Sequence, residues 1–213
     1  MKVSRLSLGI AGLSAVSLLV LPGSASAHSW ESGSMDWQTK KCARIQDKLA
    51  AAQSDYDLSD RQERRHWQRL INKSSRHDCQ VNGTIVDFLA GSSQFSTLVT
   101  AVQAAGLVDT LNSGEYTVFA PTNHAFAALP AGTLDAVLAD KALLTNILTY
   151  HVVPGSVDAA TARSLTTATM ANGKTVTIRS EGRKLYINDS RVVLYDVQTT
   201  NGIVHVIDAV LLP

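Results

Sequence analysis

The sequence predicts an α+β fold in which a helical half precedes a strand-rich half. Up to about residue 165, apolar residues recur at three- and four-residue steps. After it, β-branched runs are separated by Asn172-Gly173, Glu181-Gly182 and Asn201-Gly202. The composition, 45% hydrophobic and 17% charged, permits a packed core. Segregated helices and hairpins argue for α+β rather than for an alternating parallel sheet.

The chain opens with a short basic region, Lys2 and Arg5, then an apolar run from Leu6 to Leu21 and small residues at Ala25-Ser26-Ala27. This pattern reads as a secretory signal peptide over residues 1–27, because the run is shorter than the roughly 20 residues a spanning helix needs. The mature chain, secreted or periplasmic, would begin at His28, and its membrane contact would end with the cleaved segment. A terminal histidine can chelate copper, here with His66 or His77 as a third ligand, but a leftover of cleavage is the weightier reading. The expectation is therefore no metal and no cofactor.

Residues 28–82 read as a helical hairpin leader. Asp36 is a candidate cap for a first helix, in which Cys42, Ile45, Leu49 and Ala52 form one apolar stripe. Ser54-Asp55-Tyr56-Asp57 supplies a turn. Ser59, with Gln62 as its partner, would open a second helix bearing Trp67, Leu70 and Ile71. Cys42 and Cys79 read as a disulfide, an even pair in an exported chain, stabilising by about 4 kcal/mol in the chain-entropy model. The leader carries ten Lys or Arg against eight acids, and Gly83–Pro213 carries seven against ten, within a chain of net charge +1. That balance gives no reason to expect nucleic acid, and a solvated helix face accounts for the leader's basic residues.

From Gly83 a larger domain begins. Ile85, Phe88 and Leu89 mark one helix and Phe95, Leu98, Val99 and Val102 another, ended by Gly106. Tyr116–Ala120 reads as a strand stopped by Pro121, with Thr122 or Asn123 capping the helix that carries Phe126 and Leu129. Further helices place Leu134, Val137 and Leu138, then Leu143, Leu144, Ile147 and Leu148, on faces expected to be buried. A short helix near Asp158–Leu165 precedes the hairpins, and Ile203–Leu212 is the last strand.

Three segments carry a resemblance: TVFAPTNHAF from Thr117, YHVVPG from Tyr150, and NGIVHVIDAVLLP from Asn201. In order and spacing they resemble the fasciclin (FAS1) family, over roughly residues 83–213. The resemblance implies a β-wedge or twisted sandwich with helices along one edge. It also implies cell-surface or matrix adhesion through a protein partner, with Tyr150, His151, Val152 and Val153 as the partner-binding block. Such a module cannot bridge two surfaces unless it dimerises or the leader binds as well. Some members bind carotenoid-like pigments, so the alternative is a carrier of an apolar, pigment- or lipid-like ligand, with Val176, Ile178, Tyr186, Ile187 and Val193 lining a cleft; the ordinary reading of these five is sandwich core.

No G-x-S-x-G elbow, P-loop, H-E-x-x-H helix or glycine-rich dinucleotide turn is present, so the sequence predicts no enzyme. His124, His151 and His205 fall in the three segments. His151, at a helix end, reads as a hydrogen-bonding residue that pins its block, and His205 as a satisfied strand histidine. Asp208, opposite to His205, is expected to anchor the corner at Thr122 or Asn123.

Overall fold

The computed structural model describes residues 37–55, 57–58, 60–77, 79 and 83–213. The signal-peptide reading of residues 1–27, His28, and the caps expected at Asp36 and Ser59 lie outside them. Helices α1 (Trp37–Asp55) and α2 (Arg61–Arg76) form the expected hairpin, and Cys42 and Cys79 are joined with their Cα atoms 5.4 Å apart. Asp60 caps α2: its Oδ1 accepts from the amides of Gln62 (2.5 Å) and Glu63 (3.0 Å). An aspartate here also favours the positive end of the helix dipole.

The hairpin does not keep a core of its own. Ile45, Leu49, Trp67 and Ile71 are buried in one cluster with Phe88, Leu89, Phe95, Leu194 and Val204. The Trp67 and Phe88 rings lie 6.0 Å apart, as do those of Phe88 and Phe95, within the range of favourable aromatic pairing. Two narrow apolar stripes bury too little against each other to order this many residues, so docking on a larger core supplies the rest.

Helix α3 (Ile85–Ala90) starts in a capping box between Thr84 and Asp87. A short 3₁₀ turn, Ser93–Phe95, leads into α4 (Ser96–Ala105), which ends where Gly106 takes φ 74°. After α5 (Val108–Ser113), strand β1 (Tyr116–Pro121) enters the sheet. Helices α6 (Asn123–Ala127), α7 (Thr133–Ala139) and α8 (Lys141–Thr149) follow, then β2 (Val152–Pro154) and α9 (Ala159–Ser164). The remainder is β3 (Thr167–Thr169), β4 (Thr175–Glu181), β5 (Lys184–Ile187), β6 (Ser190–Thr199) and β7 (Gly202–Ile207).

The seven strands run in the order β2-β1-β7-β6-β5-β4-β3, parallel only between β1 and β7. Every residue of β7 is buried, because the strand lies between two neighbours and is covered on both faces. Val204 and Val206 face the helical core, whereas Ile207 joins a second core with Phe119, Ile178, Leu185 and Ile187 inside the wedge. Gly202 makes the β1–β7 pairing possible. Its φ is 148°, and a Cβ there would lie 1.8 Å from the carbonyl oxygen of Tyr116.

Strand β6 departs from plain alternation. Its pairing with β7 slips between Val192 and Leu194 and again between Leu194 and Val197, the second slip spanning Asp196 at φ 62°. Each bulge resets the face that follows. Val192 therefore points into the wedge, while Leu194 and Val197 both point to the helices. At the second slip the side chain of Gln68 on α2 acts as a substitute strand. Its amide nitrogen donates to Tyr195 O and its Oε1 accepts from Tyr195 N, both at 3.0 Å.

Candidate functional site

The block from Tyr150 to Val153 sits where α8 runs into β2. All four residues are buried, Tyr150 at 5%, His151 at 3% and both valines at 8% exposure. Tyr150 reaches across the wedge, donating its hydroxyl to Thr175 O (3.1 Å) and accepting from Asn188 Nδ2 (3.2 Å). The Leu211 amide donates to His151 Nε2 at 3.0 Å, which fixes the proton on Nδ1, and that N–H donates to Ile147 O at 2.8 Å. Burial lowers the His151 pKa from 6.5 to about 4, with the Ile147 bond opposing it. A proton on Nε2 would set two donors against each other beneath the C-terminal segment. The block is thus a keystone that ties a helix end, an edge strand and Leu211 together, and any surface it serves is the one it holds in place.

His205 is fully buried, stacked on Phe119 with ring centroids 5.6 Å apart. Its Nδ1 accepts from Asp196 N (3.2 Å) and its Nε2–H donates to Val157 O (2.9 Å). Burial is the largest cause of its lowered pKa, partly offset by the Val157 bond and by Asp196 and Asp158. His124 is exposed on α6. The three histidines share no site, and among the described residues no group of His, Cys, Asp or Glu could hold a metal ion.

At the corner after β1, Thr122 caps α6 by accepting from Ala125 N. Asn123 ties the corner to α4 instead: it donates to Ser93 O (2.8 Å) and Ser96 Oγ (2.9 Å) and accepts from Thr97 N (3.0 Å). The expected bond from Asp208 to this corner is not made. Asp208 is exposed beyond the end of β7 and accepts from Arg191 N at 2.8 Å, bridging to β6. The Asn123 side chain is already satisfied from the 3₁₀ turn and α4, so nothing there calls for a carboxylate.

The core reading of the five strand residues holds for Val176, Ile178 and Ile187, which fill the wedge core, while Val193 packs on the helical core and Tyr186 lies under the Arg179 guanidinium at 5.9 Å. One expectation changes. Leu138 and Leu143 are not on buried faces but 37% and 40% exposed, and α7 has no buried residue at all. With Leu212 at 52% exposure, they give the end of the molecule formed by α7, α8 and the C-terminal segment an apolar surface. An apolar cavity of ≈ 20 Å³ lies between these elements, and a second of ≈ 80 Å³, lined from α4, α5, β1 and β2, also borders Leu148 and His151. The sequence signal for this face was present but inverted: helical periodicity marks a face that seeks cover, and does not say whether the cover is internal.

The family model for the fasciclin domain matches residues 93–213, more than half of the chain. The chain belongs to the fasciclin domain family. The domain is similar to Protein sll1483 of Synechocystis, 50% identical over 133 residues that cover 61% of this chain and 73% of that protein. It is also similar to the Immunogenic protein MPB70 of Mycobacterium bovis, 49% identical over 107 residues, 50% of this chain and 54% of MPB70. The Cell surface glycolipoprotein MPB83 of the same species is 44% identical over 123 residues, 55% of each chain. The chain thus spans about half the length of the two mycobacterial proteins. The fasciclin match begins after the hairpin, although the hairpin shares the domain's core. Among the described residues no helix is long and apolar enough to cross a membrane.

Proposed function

We propose that this chain is an exported binding module that docks a protein of the cell surface or matrix through the apolar end built by α7, α8 and the C-terminal segment. The observation that carries the reading is the exposure of Leu138, Leu143 and Leu212 around a face whose geometry the Tyr150–Val153 block fixes. Family membership supports adhesion or protein binding in general, and MPB83, a cell surface glycolipoprotein by name, is a relative at a cell surface. In this reading Tyr150, His151, Val152 and Val153 act on partner binding indirectly, by positioning Leu211 and Leu212. Carriage of a pigment-sized ligand is disfavoured by magnitude. Cavities for such ligands run to roughly 300–1,000 Å³, several times the ≈ 80 Å³ found beside His151.

The test is binding of labelled protein to intact cells of the exporting host, comparing the native chain with Leu143→Gln/Leu212→Gln. Both positions are exposed, so the fold should persist while binding falls by about tenfold or more. Unchanged binding by the folded double variant would remove this face from the interface.

A further inference from the structure

The hairpin carries a second feature that the family does not account for. Lys40, Arg44 and Lys48 recur every four residues on α1, so their charges are spaced by about 6 Å along one helix face. All three are exposed. Together with Lys41 and with Lys73 of α2 they wall a groove of ≈ 800 Å³, floored by Ile45 and Leu70, in which Asp47 is the one acid among the described residues. Of the leader's described acids, Asp57, Asp60 and Glu63 lie toward the far end of the hairpin, so cations dominate the described lining of this groove. The same field reaches His77 at the end of α2, whose pKa is lowered by burial and then by Lys41, Lys73 and Arg76.

We infer that this groove binds a linear anionic polysaccharide, a polyuronate-like chain lying along α1 with its carboxylates against Lys40, Arg44, Lys48 and Lys73. Three features select this partner among polyanions. Among the described residues no aromatic side chain lines the groove, so they offer no platform on which unpaired bases would stack. Ile45 is buried and Leu70 half-buried, so among the described lining residues nothing apolar stands out to insert into a membrane, and the site is a trough rather than a flat face. Four of the five cations are lysines, point charges suited to a flexible row of single carboxylates rather than to bidentate phosphate capture. The groove lies outside residues 93–213 and away from the apolar end, so it would give the module a second, independent attachment.

Binding of the mature chain to polygalacturonate is measured against salt, for the native protein and two charge-matched triples. Lys40→Gln/Arg44→Gln/Lys48→Gln removes three of the five groove cations. Lys174→Gln/Arg183→Gln/Lys184→Gln removes three exposed cations from the β-hairpins. The native protein should bind at low salt. The groove triple should bind about tenfold more weakly, and its log–log salt slope should fall to about a quarter, since Lys73 alone of the four contacting cations remains. The hairpin triple should change little. Absence of native binding, equal loss in both triples, or an undiminished groove triple would overturn the inference. Stronger retention on phosphatidylglycerol vesicles than on polygalacturonate would overturn the choice of partner.

Discussion

Acid should loosen this protein through His151, and the size of the effect follows from where the imidazole sits. Its pKa falls from 6.5 to about 4 on folding because the ring is buried and its Nε2 is committed as an acceptor from Leu211 N. The folded state therefore favours the neutral ring. Stability is fully present above pH 6.5, declines as the unfolded chain takes up a proton below that value, and stops declining near pH 4, where the folded state is protonated too. The whole window amounts to about 3 kcal/mol, of which about 2.5 kcal/mol is lost by pH 4.5. Urea unfolding followed by far-ultraviolet circular dichroism at pH 7.5 and 4.5 measures it, with His151→Gln as the reference. Glutamine can still accept from Leu211 N but does not titrate, so the carboxylates and His205 contribute alike to both proteins and cancel. The variant should be less stable at pH 7.5 and should lose about 2.5 kcal/mol less than the native protein on acidification. Parallel losses within about 0.5 kcal/mol would refute the assignment of Nε2 as an obligate acceptor.

Two further outcomes test the packing. Trp67→Ala should cost about 3–5 kcal/mol and lower the midpoint of one transition common to hairpin and domain, because the ring lies in their shared core; a separate early transition for the hairpin would contradict this. Asn123→Ala should destabilise by about 1–3 kcal/mol through three lost bonds, and Asp208→Ala by less than about 1 kcal/mol through one exposed bond, with thermal melts of the two variants giving the order.

Much of the local architecture was legible in the sequence. Gly106 marks a helix end, Thr122 a helix start and Cys42 with Cys79 a staple, because each signal acts within a few residues or follows from compartment and count. The candidate site was legible only as a segment. Tyr150-His151-Val152-Val153 stood out by resemblance, but the segment does not reveal that all four side chains are buried and that Leu138, Leu143 and Leu212 are among the exposed apolar residues. Periodicity identifies an apolar face without saying what meets it.

Contacts across the chain were decided elsewhere. Gln68 bonds Tyr195, 127 residues away, at a bulge in β6 that resets the facing of Val197. Asn123 answers to Ser93, Ser96 and Thr97, and Asp208 to Arg191, although the sequence predicts that Asp208 anchors the corner at Thr122 or Asn123. The sequence by itself determined the order of helices and hairpins, the disulfide and the chain turns, since these rest on torsional preference and short-range hydrogen bonding. The strand register, the union of the hairpin with the domain core, the unpartnered apolar end and the basic groove depended on tertiary structure. Each is a balance of burial and polar satisfaction among side chains far apart in the chain, and no local preference encodes which distant partner satisfies it.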